Sequence, residues 1–402
     1  MVNVAILGYG TVGSGVYKII KDNFTHVSRR AGEDINIKYV LDLRDFPGDP
    51  VEEVLTHDVN DILNDDSVEV VVEVMGGVEP AFTFVKKALE AGKSACTSNK
   101  ELVAKHGAEL LKIAAAKNVN FFFEASVGGG IPIIRPLIEC LTVDHFEEIQ
   151  GIMNGTTNYI LTKMEDEGAD FDTVLKDAQN KGYAERNPEA DIEGYDACRK
   201  IAILTSLAYE KQVDYEDIYT EGITKITTQD FEYMKSVGKT IKLLGIAKKS
   251  GKTVYSMVAP FVLSSNNPLF AVKDVFNAIL VKGDMLGEVM FYGKGAGSLP
   301  TASAVVSDVV DCIKRRGETA DILWKSTKRN LGSADAFSTP YFVRVKGEGL
   351  NAEVEAAFGD VQYVTAEGIT GETAFFTKTM TGSEFEKAAS SLEVVSRIRV
   401  SE

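Results

Sequence analysis

The chain has 402 residues, of which 45% are hydrophobic and 25% are charged, as in ordinary globular proteins. At about 150 residues per domain, this length predicts two or three domains. The net charge of −16 argues against nucleic acid or an anionic membrane as the main partner, while a small anionic ligand stays compatible with a locally positive site. No apolar run reaches the ~20 residues that span a bilayer.

The cysteines and histidines indicate neither a metal site nor a disulfide framework. The four cysteines are widely spaced, with no C-x-x-C pair. The first ten residues, MVNVAILGYG, have no basic region, and glycines follow a short apolar run. Both features differ from those of a signal peptide. We therefore expect a cytoplasmic protein with free thiols. The histidines lie outside the motifs described below, and we expect surface or boundary positions for them: His26, His57, His106 and His145.

Strands and helices alternate in the N-terminal part of the chain. Apolar runs predict strands at 2–7, 35–42, 68–75, 94–97 and 118–126. Helical patterns lie between them, at 15–22, 80–91 and 101–117. This alternation predicts a parallel, doubly wound sheet. We expect a Rossmann-type domain over residues 1–130, completed by the amphipathic helix 301–316.

The remainder predicts two further domains. Residues 131–300 indicate a mixed α/β region for substrate binding and dimerisation, with strands at 146–153 and 253–263 and helices at 156–167, 171–181, 196–210 and 229–247. Polar residues with Gly and Pro at 317–340 are typical of a linker. Residues 341–402 then follow the order βαββαβ of a small ferredoxin-like unit.

The first loop is a dinucleotide fingerprint, Gly8-Tyr9-Gly10-Thr11-Val12-Gly13. It follows a strand and opens a helix, which is the context that gives G-x-G-x-x-G its meaning. Gly8 permits the tight turn, Gly10 admits a pyrophosphate, and Gly13 allows close packing of helix and strand. Asp42 ends the second strand and favours NAD through a ribose hydroxyl, whereas the neighbouring Arg44 favours the 2′-phosphate of NADP. The residues leave both cofactors open.

Four further stretches have the composition of a binding site. Thr97-Ser98-Asn99-Lys100 follows the fourth strand at the edge where ligands bind, and it places a lysine where the helix dipole disfavours a cation. EASVGGGIPII (124–134) can present backbone carbonyls to a cofactor or a cation, or form a tight crossover. GIMNGTTNYIL (151–161) offers amides and hydroxyls that either recognise a polar substrate or cap a helix. GKGAGSLPT (293–301) is a second glycine-rich turn that opens a helix.

The stretch GYAERNPEADIEGYDACRK (182–200) places five carboxylates and three basic groups before an apolar helix. Asp196 and Lys200 are four residues apart on that helix. Such a pair is either a surface salt bridge worth ~0.3–0.5 kcal/mol or part of a site. Spacing alone favours the surface bridge.

Taken in order, these motifs resemble homoserine dehydrogenase, and the resemblance covers residues 1 to about 316. NGTTNYIL and GYAE…D…GYDA..K are the most specific parts. The resemblance implies NAD(P)-dependent interconversion of L-homoserine and L-aspartate 4-semialdehyde, in the branch of amino-acid biosynthesis that leads to threonine, methionine and isoleucine. It also implies a homodimer or a higher homo-oligomer, and an ACT-type C-terminal unit.

The resemblance also assigns roles to single residues. Lys100 and Lys200 match the two lysines assigned to catalysis, and Asp196 orients a lysine or the reacting oxygen. Glu185 and Asp191 suit the substrate amino group. Further substrate contacts are implied at Asn154, Thr156 and Gly182. Cofactor contacts are implied at the first glycine loop and at Asp42, Arg44, Thr97, Ser98, Lys100, Gly293 and Gly297. A sodium or similar cation is implied on the carbonyls of Val127, Gly129 and Ile131, with Glu124 nearby.

The chain departs from the family pattern at a few positions. Asn187 stands where an Asp is usual, Arg186 where Pro is frequent, and Lys294 where GPGAG is common. The C-terminal unit has Lys346-Gly347-Glu348-Gly349 in place of the D-x-P-G turn of ACT-type units. We therefore expect this unit to serve dimerisation rather than amino-acid feedback.

Two other functions compete with this one. Aspartate semialdehyde dehydrogenase handles the same metabolite, but its reaction needs an activated cysteine, normally with a histidine base. Cys96 and Cys198 have no histidine motif beside them. A non-catalytic nucleotide sensor would keep the glycine loop and would have no use for the two lysines.

Overall fold

The computed structural model describes residues 1–401. Their strands, in chain order, are β1 (Val2–Leu7), β2 (Ile35–Leu41), β3 (Leu55–Thr56), β4 (Val68–Glu73), β5 (Ser94–Thr97), β6 (Phe121–Phe122), β7 (Phe146–Ile152), β8 (Lys211–Gln212), β9 (Tyr219–Thr220), β10 (Lys239–Ser250), β11 (Thr253–Ser264), β12 (Phe276–Gly283), β13 (Gly287–Lys294), β14 (Lys325–Lys328), β15 (Ser338–Thr339), β16 (Tyr341–Lys346), β17 (Gln362–Val364), β18 (Glu372–Phe376), β19 (Met380–Thr381) and β20 (Val394–Ser401).

The α-helices, again in chain order, are α1 (Thr11–Asp22), α2 (Phe24–Ala31), α3 (Asn60–Leu63), α4 (Ala81–Glu90), α5 (Lys100–Lys117), α6 (Ala125–Gly128), α7 (Gly155–Glu167), α8 (Phe171–Asn180), α9 (Glu189–Ile192), α10 (Tyr195–Ala208), α11 (Thr228–Ser236), α12 (Ser298–Lys314), α13 (Asn351–Phe358) and α14 (Gly382–Ala389). Within residues 1–401, no helix has the length and apolar content needed to cross a membrane.

One compact unit consists of residues 1–143, 202–215 and 293–329. Its six-stranded parallel sheet has the order β3-β2-β1-β4-β5-β6, so the predicted Rossmann-type fold is confirmed. Helix α12 packs on α1, and Gly15 permits this approach because an added Cβ there would lie 2.8 Å from Ser298 Oγ. The order of the strands reverses between β1 and β4, which is where ligands bind in such sheets.

The second compact unit consists of residues 144–201, 216–292 and those from 330 onward. A mixed sheet with the path β13-β12-β7-β10-β11-β20-β16-β18-β17 organises it. Strands β10 and β11 pair antiparallel from Lys239↔Ser264 to Ser250↔Thr253, and β7 pairs with the other edge of β10. The α/β character predicted for this region is confirmed.

The C-terminal βαββαβ unit shares that sheet. Strands β16, β18 and β17 are antiparallel neighbours, and β20 lies on the other side of β16, which is the ferredoxin-like order. Strand β20 also pairs parallel with β11, with Phe261 opposite Arg399. The chain passes from the first compact unit to the second at residues 329–330, inside the linker predicted at 317–340. The C-terminal strands do not form a separate unit, because backbone hydrogen bonds join them to the mixed sheet.

Two secondary-structure predictions were wrong. The helix predicted over 229–247 ends at Ser236, and β10 begins at Lys239 after Gly238, whose φ of +65° breaks the helix. Since β10 is buried on both faces along most of its length, it lacks the alternation that identifies a strand. The strand predicted at 118–126 has only two residues, because the backbone turns into α6 at Ala125.

Candidate active site

The glycine loop between β1 and α1 has the backbone that its sequence predicts. Gly8 has φ +102°, and an added Cβ at Gly13 would lie 1.9 Å from the Gly8 carbonyl oxygen. Gly10 is exposed, and an added Cβ there would meet no atom within 4 Å. The loop therefore leaves open space at Gly10, beside the first N–H groups of α1, where a pyrophosphate binds in folds of this kind.

The second glycine-rich turn lies beside the first. Gly297, with φ +120°, caps α12, and Ser298 Oγ donates to the Thr11 carbonyl at 2.7 Å. This contact places the turn 293–297 next to the start of α1. Two helix N-termini thus lie at the same end of the Rossmann-type unit, as the composition of GKGAGSLPT predicts.

Asp42, just beyond β2, is fully engaged by neighbouring donors. Tyr9 donates its backbone N–H to Oδ2 at 2.8 Å, and Arg44 donates Nε to Oδ1 at 2.9 Å and Nη2 to Oδ2 at 3.0 Å. The Arg44 backbone N–H adds a bond to Oδ1 at 3.0 Å. These donors, Arg44 first, hold the pKa of Asp42 well below its ordinary value. A ribose hydroxyl would therefore have to displace a donor to reach Asp42.

A cavity of about 630 Å³ lies at the carboxyl ends of β1, β2 and β4. Its lining includes Gly8, Gly10, Asp42, Arg44, His57 and Phe84. Its volume is within the range of small-molecule sites. Apolar side chains and two basic residues, Arg44 and His57, line it and suit a nucleotide with an aromatic base and anionic groups.

His57 is one of those two basic residues, and its place in the cavity was not predicted from the sequence. The side chain is exposed, as expected, but it also lines the cavity. Its Nδ1 lies 2.6 Å from the Asp42 carbonyl oxygen and its Nε2 lies 3.2 Å from Asp45 Oδ1. Because both ring nitrogens face acceptors, the Asp42 carbonyl first and Asp45 second raise the pKa of His57. The preceding strand β3 has only two residues, too few for a recognisable pattern.

The residues before Lys100 form a buried network around Glu73, which sequence reasoning also missed. Thr97 Oγ1 donates to Glu73 Oε2 at 2.6 Å and accepts the Asn99 backbone N–H at 2.9 Å. The Thr97 hydroxyl therefore stabilises the loop. Only the backbone of Thr97 is then available for a cofactor contact. Burial raises the pKa of Glu73, which ends β4 and also accepts from the Met75 backbone N–H at 2.8 Å.

Asn99 fixes the start of the helix that begins with Lys100. Its Oδ1 accepts from the backbone N–H groups of Glu101 and Leu102, and its Nδ2 donates to the Gly77 carbonyl at 2.6 Å. Ser98 and Lys100 are half-buried on either side of it. Lys100 is thus held at a helix N-terminus and at the carboxyl edge of the parallel sheet, where the sequence placed it.

Glu124 does not fit as a cation ligand. Its Oε1 accepts from the backbone N–H groups of Ile133 and Ile134 at 2.7 and 2.9 Å, and its Oε2 accepts from that of Arg135 at 2.8 Å. The carboxylate thereby caps residues 133–135. Among residues 1–401, no group of three or more His, Cys, Asp or Glu side chains is arranged to hold a metal ion. A cation would rest on the carbonyls of Val127, Gly129 and Ile131 alone.

In the second unit, Asp196 and Lys200 form a buried ion pair. Lys200 Nζ donates to Asp196 Oδ2 and to the Met153 carbonyl, each at 2.7 Å. The two side chains are only 8% and 11% exposed, so the alternative of a surface bridge does not hold. Both donor bonds fix the Lys200 ammonium group at the start of α10.

Asn154 joins this pair to a second carboxylate. Its Nδ2 donates to Asp191 Oδ1 at 2.7 Å and to Asp196 Oδ2 at 2.9 Å. Its Oδ1 accepts from the Thr157 backbone N–H and caps α7, which confirms the helix-capping alternative for GIMNGTTNYIL. Two carboxylates and one ammonium group therefore lie together in this cluster.

The segment 182–200 divides into buried and exposed parts. Thr156 Oγ1 donates to the Tyr183 carbonyl at 2.6 Å, which ties the beginning of the segment to α7. Gly182, Glu185 and Asn187 are exposed, so the structure leaves Glu185 outside the buried cluster. Arg186 and Glu189 are exposed, whereas Glu193 and Arg199 are half-buried, and Gly222 lies against the backbone of Glu193.

Known proteins match both units of this arrangement. Residues 8–124 match the model of the homoserine dehydrogenase NAD-binding domain, and residues 132–310 match the model of homoserine dehydrogenase. Homoserine dehydrogenase of Bacillus subtilis is 44% identical over 351 residues, which are 86% of this chain and 81% of the relative. The chain belongs to the homoserine dehydrogenase family. It is an oxidoreductase that acts on a CH–OH group.

Solved structures of homoserine dehydrogenases agree with this assignment. That of Thiobacillus denitrificans has a TM-score of 0.90 and 35% identity, and the match covers 100% of this chain and 98% of that one. A hyperthermophilic archaeal homoserine dehydrogenase mutant in complex with NADPH has a TM-score of 0.66 and 30% identity over 77% of this chain and 97% of that one.

The buried cysteines disfavour the competing semialdehyde dehydrogenase chemistry. Burial raises the pKa of the Cys96 thiol well above its ordinary value and also raises the pKa of Cys198. A nucleophilic cysteine needs the opposite shift and access to the substrate. The raised pKa values of these thiols therefore agree with the family assignment to homoserine dehydrogenase.

Proposed function

We propose that the cluster of Asp196, Lys200, Asn154 and Asp191 binds the substrate and carries out proton transfer in this homoserine dehydrogenase. The buried Asp196–Lys200 pair is the observation that supports this most directly, because such pairs are expensive to desolvate and cluster at functional sites. Carboxylates form charge-assisted hydrogen bonds with ammonium groups such as that of homoserine. Asp191 is the residue we assign to that group, and the family resemblance alone adds Glu185, which lies exposed outside the buried cluster.

The proposed chemistry divides the work between ammonium and carboxylate groups. When bound, the nicotinamide cofactor supplies or accepts the hydride. Lys200 holds a proton at Nζ for the substrate oxygen, while Asp196 and the Met153 carbonyl orient that group. Lys100 is proposed as a second catalytic cation, since a cation stabilises the negative charge that develops during the reaction. This role of Lys100 rests on the family resemblance and on its place at the carboxyl edge of the parallel sheet.

We further propose that the enzyme prefers NADP to NAD. The carboxylate of Asp42 is already saturated by four hydrogen bonds, so it is a poor acceptor for a ribose hydroxyl. Arg44 and His57 bring two cationic groups to the rim of the same cavity. Such groups suit the 2′-phosphate. The archaeal homoserine dehydrogenase that matches this chain binds NADPH, which supports the same choice.

A spectrophotometric assay tests the proposal. Consumption of NADPH and of NADH is followed with aspartate semialdehyde, in the absence of phosphate and ATP. We expect activity that requires neither addition and that is greater with NADPH. No activity with either cofactor would contradict the function, and a preference for NADH would contradict only the cofactor assignment.

Three other predictions remain proposals. They are a monovalent cation on the carbonyls of Val127, Gly129 and Ile131, a cytoplasmic homodimer or higher homo-oligomer, and the ACT-like character of residues 341–402. Sedimentation of the purified protein tests the dimer, and a titration of activity with NaCl against choline chloride at constant ionic strength tests the cation.

A further inference from the structure

Arg399, in the C-terminal strand β20, is buried against a segment of the mixed α/β region. It is 4% exposed, and its Nη1 donates to Glu221 Oε2 at 3.1 Å. Its guanidinium lies over the Tyr219 ring, 4.7 Å from the centroid, and the Tyr219 hydroxyl donates to the same Glu221 oxygen at 2.9 Å. The C-terminal strand therefore holds both ends of residues 219–221.

The segment held by Arg399 lies directly against the backbone of residues 192–194. Ile223 donates its backbone N–H to the Ile192 carbonyl at 2.8 Å. An added Cβ at Gly222 would lie 2.2 Å from the Ile192 carbonyl oxygen, and one at Gly194 would lie 3.2 Å from Thr220 Cγ2. There is no free space between these backbones, so a shift of 219–222 displaces 192–194 as well.

Residues 192–194 connect the two carboxylates of the proposed substrate site. Asp191 precedes them and Asp196 follows them, and Asn154 binds both side chains. Contacts therefore run without a gap from Arg399 through Glu221 and the 192–194 backbone to the group proposed to bind the substrate ammonium.

We propose that Arg399 is a positioning residue for substrate binding. By binding Glu221, it fixes the position of residues 191–194. It thereby fixes the orientation of the Asp191 carboxylate. The inference rests on the proposed function of Asp191, Asp196 and Lys200. Through Arg399, the C-terminal βαββαβ unit would contribute to the affinity for homoserine.

Steady-state kinetics of Arg399→Met test this inference. We expect the KM for homoserine to rise by about threefold to thirtyfold, the range in which residues coupled through contacts act. The KM for the nucleotide should not change, because its proposed site is formed by the other compact unit. Arg399→Lys should restore part of the affinity. Glu221→Gln, which keeps the side-chain volume, should raise the same KM, and the double variant should be less than additive.

Arg344→Met is the matched control. Arg344 is the second buried arginine of the C-terminal unit, but its partners are Thr227, Asp230 and Glu372 rather than residues near 191–194. This variant should lose stability and keep its KM for homoserine. Equal changes of KM in Arg344→Met and Arg399→Met would show a global effect and overturn the inference. An unchanged KM in Glu221→Gln would overturn it too, and this variant decides the matter if Arg399→Met does not fold.

The failure of the inference can be told from the failure of the proposed function. Asp191→Asn should raise the KM for homoserine whether or not Arg399 acts on it. If Asp191→Asn and Lys200→Met behave like the unmodified enzyme, the proposed site is wrong. If they are impaired while Arg399→Met and Glu221→Gln keep their affinity, only the positioning role is wrong.

Discussion

Asp196 and Lys200 form an ion pair with a separation of 2.7 Å that is almost fully excluded from solvent. Such pairs add little net stability, because desolvating two charges costs about as much as their attraction returns. A pair of this kind beside a second carboxylate therefore indicates a function in binding or proton transfer. Asn154 binds both carboxylates, and Asp196 together with the Met153 carbonyl holds Lys200.

Two glycines of the first loop should respond differently to the same added methyl group. Gly13→Ala places a Cβ 1.9 Å from the Gly8 carbonyl, so we expect a clear loss of thermal stability. Gly10→Ala meets no atom within 4 Å and should keep the melting temperature, while nucleotide affinity falls by about tenfold or more, that is, by ~1.4 kcal/mol. Calorimetry and nucleotide titration measure both effects. Normal nucleotide affinity in Gly10→Ala would remove this loop from the cofactor site.

Arg44 should determine the preference for NADPH. We expect Arg44→Ala to lower kcat/KM with NADPH by about tenfold to a hundredfold, since charge-assisted hydrogen bonds contribute ~1.5–3 kcal/mol. The value with NADH should stay the same or rise, because Asp42 loses the donor that saturates it. Parallel assays with both cofactors measure this. Equal losses with NADPH and NADH would contradict recognition of the 2′-phosphate.

The preference for NADPH should also depend on pH through His57. Its pKa is raised by the Asp42 carbonyl and by Asp45, so the ring is cationic at pH values below the raised pKa. Attraction of the 2′-phosphate is then present at the lower pH and lost as the pH rises through that pKa. As the pH rises above the ordinary histidine pKa of about 6.5, where the phosphate is already largely dianionic, KM for NADPH should rise and KM for NADH should not.

His57→Ala tests the origin of this pH dependence. The substitution should flatten the NADPH profile, and His145→Ala should leave it unchanged because His145 pairs with Asp284 in the other compact unit. An unaltered slope in His57→Ala would assign the titration to another group.

Arg344 should contribute strongly to folding stability. It binds Asp230 and Glu372, and the side chains of Arg344 and Asp230 are 6% and 0% exposed. Arg344→Met leaves buried carboxylates unpaired, which typically costs ~3–5 kcal/mol. Lys346→Met on the same strand breaks an exposed pair with Glu393 and should cost at most ~1 kcal/mol. Urea unfolding measures both free energies, and equal losses would contradict the account.

The parallel half of the fold could be predicted from the sequence because its signals are local. The bounds of β1 and β5 agree with the predicted strands at 2–7 and 94–97, and the glycine loop lies between a strand and a helix as expected. Asp196 and Lys200 could be predicted as a pair from their spacing. Their burial could not, because it depends on Asn154 and Met153, more than forty residues away in the chain.

The features that were missed depend on distant contacts. Strand β10 is buried on both faces, so its apolar sequence is equally compatible with a helix. Glu73 is bound by the Thr97 hydroxyl, and His57 is bound by the Asp42 carbonyl. No local sequence pattern predicts either contact. The continuity of the mixed sheet depends on the pairing of β20 with β11, whose paired residues lie more than a hundred positions apart.

Lys200→Met gives the most direct test of the central claim. Turnover of homoserine and NADP is measured together with the dissociation constant of NADPH, using Lys200→Arg as the variant that keeps the charge but exchanges protons poorly. We predict that kcat falls by ~10²–10⁴ in both variants, the usual contribution of general acid–base catalysis, while the dissociation constant of NADPH does not change. Turnover close to that of the unmodified enzyme in Lys200→Met would contradict the assignment of this site.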